Sequence, residues 1–263
     1  MKKRKKEVKI KAVILLITTS VFLGACSSMG VLDRSGVPVK NEVFMDNDIL
    51  VQNDAAYGIT IIGFKGNYDL LYDPSDPLSL AEAGRKYPYR YIINGSYFEN
   101  SRIHAGWLST FGVQQTPLKV DRQLSHMAIL DTSLGYLDFP DLDLWDTSMT
   151  NPKALEFQTG PLVIHENQVD TLAIQASING LSPRLRTLLA YTKEDGMFYF
   201  MITREVCRLD DIGGYILSLD VFTGKTLDVM NLDGGSSTAL YSRKHPNLNY
   251  NVNRALPILL GIY

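Results

Sequence analysis

The sequence predicts an α+β domain, a mixed or antiparallel β-sheet structure with a few helices, spanning residues 46–263. Two observations carry this. Short apolar runs recur along the chain between Asn, Asp and Gly turn signals, and only two or three stretches show helical spacing. No internal repeat and no second domain boundary interrupts the pattern.

Taken in order, Tyr57–Phe64 and Tyr68–Tyr72 read as strands. Asp73-Pro74-Ser75-Asp76-Pro77 is a turn. Asp76 and Pro77 then suit a helix cap and first helical residue, with Leu78, Leu80, Ala81 and Ala83 on a short helix that ends at Gly84. Tyr89–Ile93 is a compact apolar strand leading into Asn94-Gly95. Leu118–Val120, His126–Asp131, Tyr136–Phe139 and Leu162–His165 are strand-like, while Asp138–Thr147 is acidic and irregular. Leu188–Thr192 and Met197–Thr203 flank Lys193-Glu194-Asp195-Gly196, a hairpin turn. Helical spacing over Leu209–Val221 runs through Ile212, Ile216, Leu217 and Leu219. Leu227–Leu232 is a strand that stops at Asp233-Gly234-Gly235, and apolar Leu256–Ile262 closes the chain.

The N-terminus carries different information. Lys2, Lys3, Arg4, Lys5, Lys6, Lys9 and Lys11 precede an apolar run from Ala12 to Ile17, a short Thr/Ser break and Val21-Phe22-Leu23. This order is that of a secretion signal, and the apolar part is shorter than the about 20 residues a span requires. Leu23-Gly24-Ala25-Cys26 is similar to a bacterial lipobox. That resemblance implies removal of residues 1–25, acylation of Cys26 and a lipid-anchored, extracytoplasmic protein at the cell envelope. An ordinary secretion signal and a retained signal anchor are the alternatives. Residues 26–45 then form a tether, Ser-, Gly-, Asp- and Asn-rich at its start.

Losing the signal removes seven of the 26 basic residues and one of the 28 acidic ones, leaving a formal charge of −8. A domain so acidic has no electrostatic footprint for nucleic acid. With Cys26 lipidated, Cys207 has no cysteine to pair with and reads as a buried structural thiol. No Cys or His cluster has zinc spacing, and no motif demands a cofactor.

Four polar clusters stand out against this background. They are Asn94 to Phe98, Gln158-Thr159-Gly160-Pro161, Arg184-Leu185-Arg186-Thr187, and Asn231 to Thr238. Asp233 follows an apolar strand end, where a carboxylate is rigidly held yet reachable. Gly234 and Gly235 allow close backbone approach, and Ser236, Ser237 and Thr238 add donors suited to phosphate oxygens. An Asp-Gly turn with a serine cap is the plainer reading. Arg186 is the best anion contact, because guanidinium pairs with phosphate through two hydrogen bonds. Arg184 shares its face on an extended segment. A surface ion pair is the alternative for Arg186. Asn94 and Tyr97 suit a sugar hydroxyl or phosphate oxygen, or else a turn cap and a core-edge aromatic. His104, His126, His165 and His245 are scattered without a usable partner pattern.

In this order and at these separations, the clusters resemble the phosphodiester glycosidase family. Asn94 to Phe98 matches its Asn-Gly-x-x-Phe motif, Gln158 to Pro161 its Gln-x-Gly-Pro motif, and Arg186-Thr187 its arginine before a strand. Asn231 to Ser237 matches Asn-Leu-Asp-Gly-Gly followed by serines, and Arg254 to Pro257 a late Arg-x-x-Pro. The likeness covers about residues 55–263. Residues 138–157 and Phe222–Lys225 follow no recognised pattern, and the glycine run before Ser236 is one residue shorter than usual.

The resemblance implies a hydrolase that cuts between a sugar's anomeric carbon and a phosphodiester oxygen, and nothing in these residues demands a metal. It implies Asp233 as nucleophile or base and Arg186 as the phosphate holder, assisted by Ser236, Ser237 and the backbone of Gly234 and Gly235. Tyr97, Gly160, Asn94 and Gln158 would bind or orient substrate. The lipid anchor points to phosphodiester-linked sugars or glycopolymers of the envelope. A non-catalytic glycopolymer-binding lipoprotein and a phosphodiesterase releasing sugar phosphate are the other readings.

Overall fold

A computed structural model describes residues 42–46, 49–54, 56–66, 68–131 and 136–263. The predicted signal, Cys26 and the chain up to residue 41 lie outside the described residues. Strands dominate, in sheets of eight, five and four strands plus a two-stranded ribbon. Three α-helices accompany them, α1 (Leu80–Lys86), α2 (Thr171–Ala176) and α3 (Leu209–Leu217). Every pairing between the described strands is antiparallel, so of the two sheet types expected only one occurs. No helix among the described residues is long and apolar enough to cross a membrane.

The eight-stranded sheet is the frame. Its order is Glu42–Asp46, Ile49–Asp54, Ile59–Phe64, Met197–Ile202, Thr187–Thr192, Leu227–Asn231, Leu162–His165 and Gln168–Val169. Its central strands are apolar on both faces, because successive side chains point to opposite sides. Ile62, Phe64, Phe198, Phe200, Leu189 and Met230 face a core that also takes in Tyr91, Ile93 and Leu260 of the four-stranded sheet. Leu108, Leu155 and Phe157 of the five-stranded sheet complete it. Ile59, Ile61, Tyr199, Met201, Leu188, Ala190 and Val229 face the other way, against Ile174 of α2 and Ile212 and Ile216 of α3. This two-sided burial is why these strands read as unbroken apolar runs.

Several expected elements shift. The first described strand, Glu42–Asp46, overlaps the end of the stretch read as a tether. Ala56–Gly58 is a 3₁₀ turn, and the strand begins at Ile59. The helix starts at Leu80 rather than near Pro77, because Ser79 forms a reciprocal capping box with Glu82. It also runs on past Gly84. That glycine admits the Tyr241 ring, since a Cβ there would meet the ring at 2.4 Å. Leu118–Val120 forms no strand; the neighbouring segment that pairs is Val113–Thr116. The strand Ala154–Thr159 and the helix α2 are additions to the elements the sequence predicts.

Candidate active site

The site grows out of two adjacent strands. Thr187–Thr192 and Leu227–Asn231 pair antiparallel, with Leu188 opposite Asn231. The pairing continues beyond the sheet. The Leu232 N–H donates to the Thr187 carbonyl at 2.9 Å, and the Gly235 N–H to the Leu185 carbonyl at 2.8 Å. Residues 184–186 and 231–235 therefore run side by side. On each segment, residues two apart share a face. Arg184 and Arg186 come from one, Asn231 and Asp233 from the other, and all four line a cavity of about 280 Å³. Leu232, between Asn231 and Asp233, turns into the core.

Asp233 is partly covered within this cavity. Burial pushes its carboxyl up to about 6, against the pull of the Ser237 hydroxyl, the Gly234 N–H and the Arg254 charge. The carboxyl is thus mostly ionised at neutral pH and takes up a proton in mildly acid solution, which suits a base working near neutrality. The Asp233 main chain is tied down as well. Its N–H donates to the Gly95 carbonyl at 3.3 Å, and its carbonyl accepts from Asn94 Nδ2 at 2.7 Å.

Arg186 is 3% exposed and makes no ion pair among the described residues. Main-chain carbonyls hold its guanidinium instead. Nε donates to Cys207 at 3.1 Å, and Nη2 to Asn179 at 2.9 Å, Ser182 at 2.6 Å and Gly180 at 3.4 Å. Nη1 has no partner among the described residues. Burial lowers the basicity of this guanidinium, without neutralising a group so strongly basic. The result is a fixed, uncancelled positive charge at the cavity wall, with Arg184 exposed beside it.

The remaining expected residues divide. Gly234, Gly235, Ser236 and the Tyr97 side chain line the cavity with Asp233 and Arg186. The Gly234 N–H already bonds to the Asp233 carboxylate and the Gly235 N–H to Leu185, so neither points a free donor at a ligand. Ser237 is buried and bonded to Asp233. The Tyr97 hydroxyl donates to the Gly160 carbonyl at 2.9 Å and accepts from the side chains of Asn231 and Gln123. Gly160 has φ +149°, and a Cβ there would lie 2.7 Å from the Gln123 carbonyl.

Asn94 and Gln158 lie behind the cavity wall. Asn94 Oδ1 accepts from the Thr187 hydroxyl at 2.8 Å and the Ala239 N–H at 3.1 Å. Gln158 Oε1 accepts from the N–H groups of Trp107 and Lys119 at 2.9 and 3.0 Å, and its Nε2 donates to the carbonyls of Lys119 and Leu124. Each amide is fully engaged by protein. Three further residues line the cavity, Asn231, Asn179 and Gln123. Asn231 was detectable by its place two residues before Asp233, whereas Asn179 and Gln123 carry no such signal.

Cys207 is buried and free, its thiol pushed up to about 11 by burial, as a structural thiol should be. His104 is buried, with its imidazole lowered to about 4 by loss of solvent, and none of the four histidines lines the cavity. No group of His, Cys, Asp or Glu among the described residues could hold a metal ion.

These features define a mostly β protein with an anion-receptive cavity around one partly covered carboxylate. The phosphodiester glycosidase family matches residues 87–263, and the chain belongs to that family. No curated protein matches it. Among solved structures, it is similar to the catalytic domain of zebrafish N-acetylglucosamine-1-phosphodiester alpha-N-acetylglucosaminidase, auto-inhibited by its pro-peptide. The TM-score is 0.57 at 16% identity, over 89% of this chain and 86% of that one. A hypothetical protein from Synechocystis gives a TM-score of 0.56 at 11% identity, over 84% of this chain and 61% of that one. At these identities the likeness is one of fold.

Proposed function

We propose that this chain hydrolyses sugar-1-phosphodiesters by cleaving the bond between the anomeric carbon and the bridging phosphate oxygen. The observation that carries the reading is the shared cavity of Asp233 and Arg186. Glycosidases usually need one carboxyl as acid and a second as base or nucleophile. Asp233 is the one carboxyl lining this cavity among the described residues. A phosphate leaving group accounts for that economy, because it departs as a stable anion and asks for charge stabilisation more than for a proton.

Asp233 acts on the anomeric carbon, as nucleophile or as base to a water. The water oxygen ends on that carbon, and its proton passes by way of the carboxylate to solvent. The carbon–oxygen bond breaks with its electron pair going to the phosphate, which Arg186, with Arg184 beside it, receives. Free sugar and a phosphomonoester result.

The test is turnover of a synthetic N-acetylglucosamine-1-phosphodiester by the wild type and by Asp233→Asn, with products identified. Free reducing sugar from the wild type alone supports the assignment. Sugar phosphate would make the protein a phosphodiesterase, and wild-type turnover by Asp233→Asn would remove Asp233 from the reaction. Binding of envelope glycopolymer without either product would make it a binding lipoprotein.

The signal-like N-terminus supports a second part of the reading, that Cys26 carries lipid and holds the domain at the envelope. A tether of roughly twenty residues would let it reach tens of ångströms from the membrane, so its substrates would be phosphodiester-linked envelope glycans. Labelling cells with a fatty-acid analogue tests this. Incorporation that survives Cys26→Ala would overturn it.

A further inference from the structure

Asn231, whose side chain lines the cavity, carries a buried acceptor that nothing among the described residues satisfies. Asn231 is 2% exposed and lines the cavity. Its Nδ2 donates to the Tyr97 hydroxyl oxygen and, at 3.3 Å, to the Gly160 carbonyl. A carbonyl oxygen only accepts, so this end of the amide must be the nitrogen. The Tyr97 hydroxyl agrees, because its own proton goes to the same Gly160 carbonyl. The orientation of the amide is therefore set by chemistry. Oδ1 is the other end, and it has no hydrogen-bond partner among the described residues.

A buried acceptor left unpaired is costly, and its persistence at a functional site calls for an explanation. The Asn231 main chain leaves little room for relaxation. Its N–H donates to the Pro161 carbonyl at 3.1 Å, and its carbonyl accepts from the Thr159 hydroxyl at 2.9 Å. The neighbouring donors also have other duties. The Gln123 side chain is bonded to Tyr97, and Arg186 is held by carbonyls through Nε and Nη2. A phosphodiester offers only acceptor oxygens and cannot answer Oδ1. A sugar offers hydroxyl or amide hydrogens. Asn231 also lies two residues before Asp233 on an extended segment, so a donor bonded to it would belong to the ring whose anomeric carbon Asp233 addresses.

We propose that Asn231 Oδ1 receives a hydrogen bond from one hydroxyl or amide N–H of the substrate sugar, and that this contact selects the sugar while the two arginines select the phosphate. The proposal rests on the glycosidase reading for the identity of the ligand. A site built to bond a substrate donor rejects an analogue lacking it, because the protein acceptor is then left unpaired.

The experiment measures kcat/KM for the methyl phosphodiester of N-acetylglucosamine 1-phosphate and for its 3-, 4- and 6-deoxy and N-methylacetamido analogues. The wild type should lose at least about tenfold with one analogue and much less with the others. In Asn231→Ala that single penalty should disappear while the remaining ones persist. Penalties of about threefold or less at every position in the wild type would overturn the proposal, and this arm stands even if the variant fails to fold. So would a folded Asn231→Ala that keeps the wild-type pattern. If the parent diester is not cleaved, the glycosidase reading fails by itself. The contact is then read from dissociation constants of the same series by titration calorimetry, where a missing position-specific loss, or no binding at all, overturns it.

Discussion

The Asn94 side chain joins the two halves of the site: its Nδ2 donates to the Asp233 carbonyl at 2.7 Å while its Oδ1 accepts from the Thr187 hydroxyl at 2.8 Å. One buried amide thus ties the carboxylate segment to the strand that follows Arg186. Replacing Asn94 with Ala leaves several buried main-chain and hydroxyl groups without partners. Stability should fall by about 3 kcal/mol, at 1–3 kcal/mol for each buried group orphaned. Denaturant titration reads that loss. A change below about 1 kcal/mol would mean the amide is not the tie described.

Asp233 should cost stability where it supports activity. Its carboxyl is raised from 3.8 to about 6 in the folded chain. The folded state therefore holds the proton more tightly than the unfolded one. The favourable contribution is complete below pH 3.8 and is lost as pH rises through about 6. At pH 7 Asp233→Asn should be more stable than wild type, by roughly 3 kcal/mol, since each tenfold difference in proton affinity is worth about 1.4 kcal/mol. The same variant should lose about a thousandfold or more in kcat. For the wild type, kcat/KM should climb with pH through about 6 as the carboxylate forms. A flat profile there would remove Asp233 as the ionising group.

Arg186→Lys is not a conservative change. A lysine ammonium lacks the planar fork that spans the carbonyls of Cys207, Asn179 and Ser182. Loss of both cage and anion contact should lower kcat/KM by roughly 10²–10³, the scale seen when a positioned donor is removed from developing negative charge. Steady-state kinetics on the synthetic diester measures it. Retention within about threefold would show that Arg186 does not hold the phosphate.

Gly234 tests the spacing between the two segments. It has an ordinary negative φ, so backbone strain is not at issue. A Cβ there, however, would lie 2.6 Å from the Leu185 carbonyl. Gly234→Ala must push apart the chains that bear Asp233 and Arg186. We expect kcat/KM to drop by roughly 10–100-fold, because displacements of about 1 Å in a catalytic constellation cost on that scale. Far-UV dichroism should be unchanged. Unaltered kinetics would mean that the separation of these chains does not matter.

The elements best read from sequence are those buried on both faces. Leu188–Thr192 and Met197–Thr203 are apolar up to their closing threonines, with a clear turn between them, and Leu227–Leu232 is apolar but for Asp228 and Asn231. The strand Ala154–Thr159 escaped because it carries Glu156 and Gln158, both fully buried. Their polarity mimics a loop, while Trp107, Asn151 and Lys119 satisfy them inside. The same ambiguity affected the site. Asn94 reads as a ligand contact from its place at a strand end and Gln158 from the motif it shares with the family, yet the amides of both bond the scaffold. A buried amide that bonds the protein and one that bonds a ligand look alike in sequence. Only Asn231, with one end satisfied and the other not, shows the difference, and it shows it through geometry.

The hydrogen bonds from Leu232 to Thr187 and from Gly235 to Leu185 carry one further consequence. They continue the ladder of two central strands, so the cavity is an outgrowth of the most cooperative part of the fold rather than a loop laid upon it. Such a site has no independent melting step. The Leu232 and Gly235 amides should exchange with deuterium as slowly as those of Leu189 and Met230, through global unfolding only. Activity and tertiary signal should then vanish at one denaturant concentration. Fast exchange at Gly235 would show instead that the catalytic end can fray while the sheet holds.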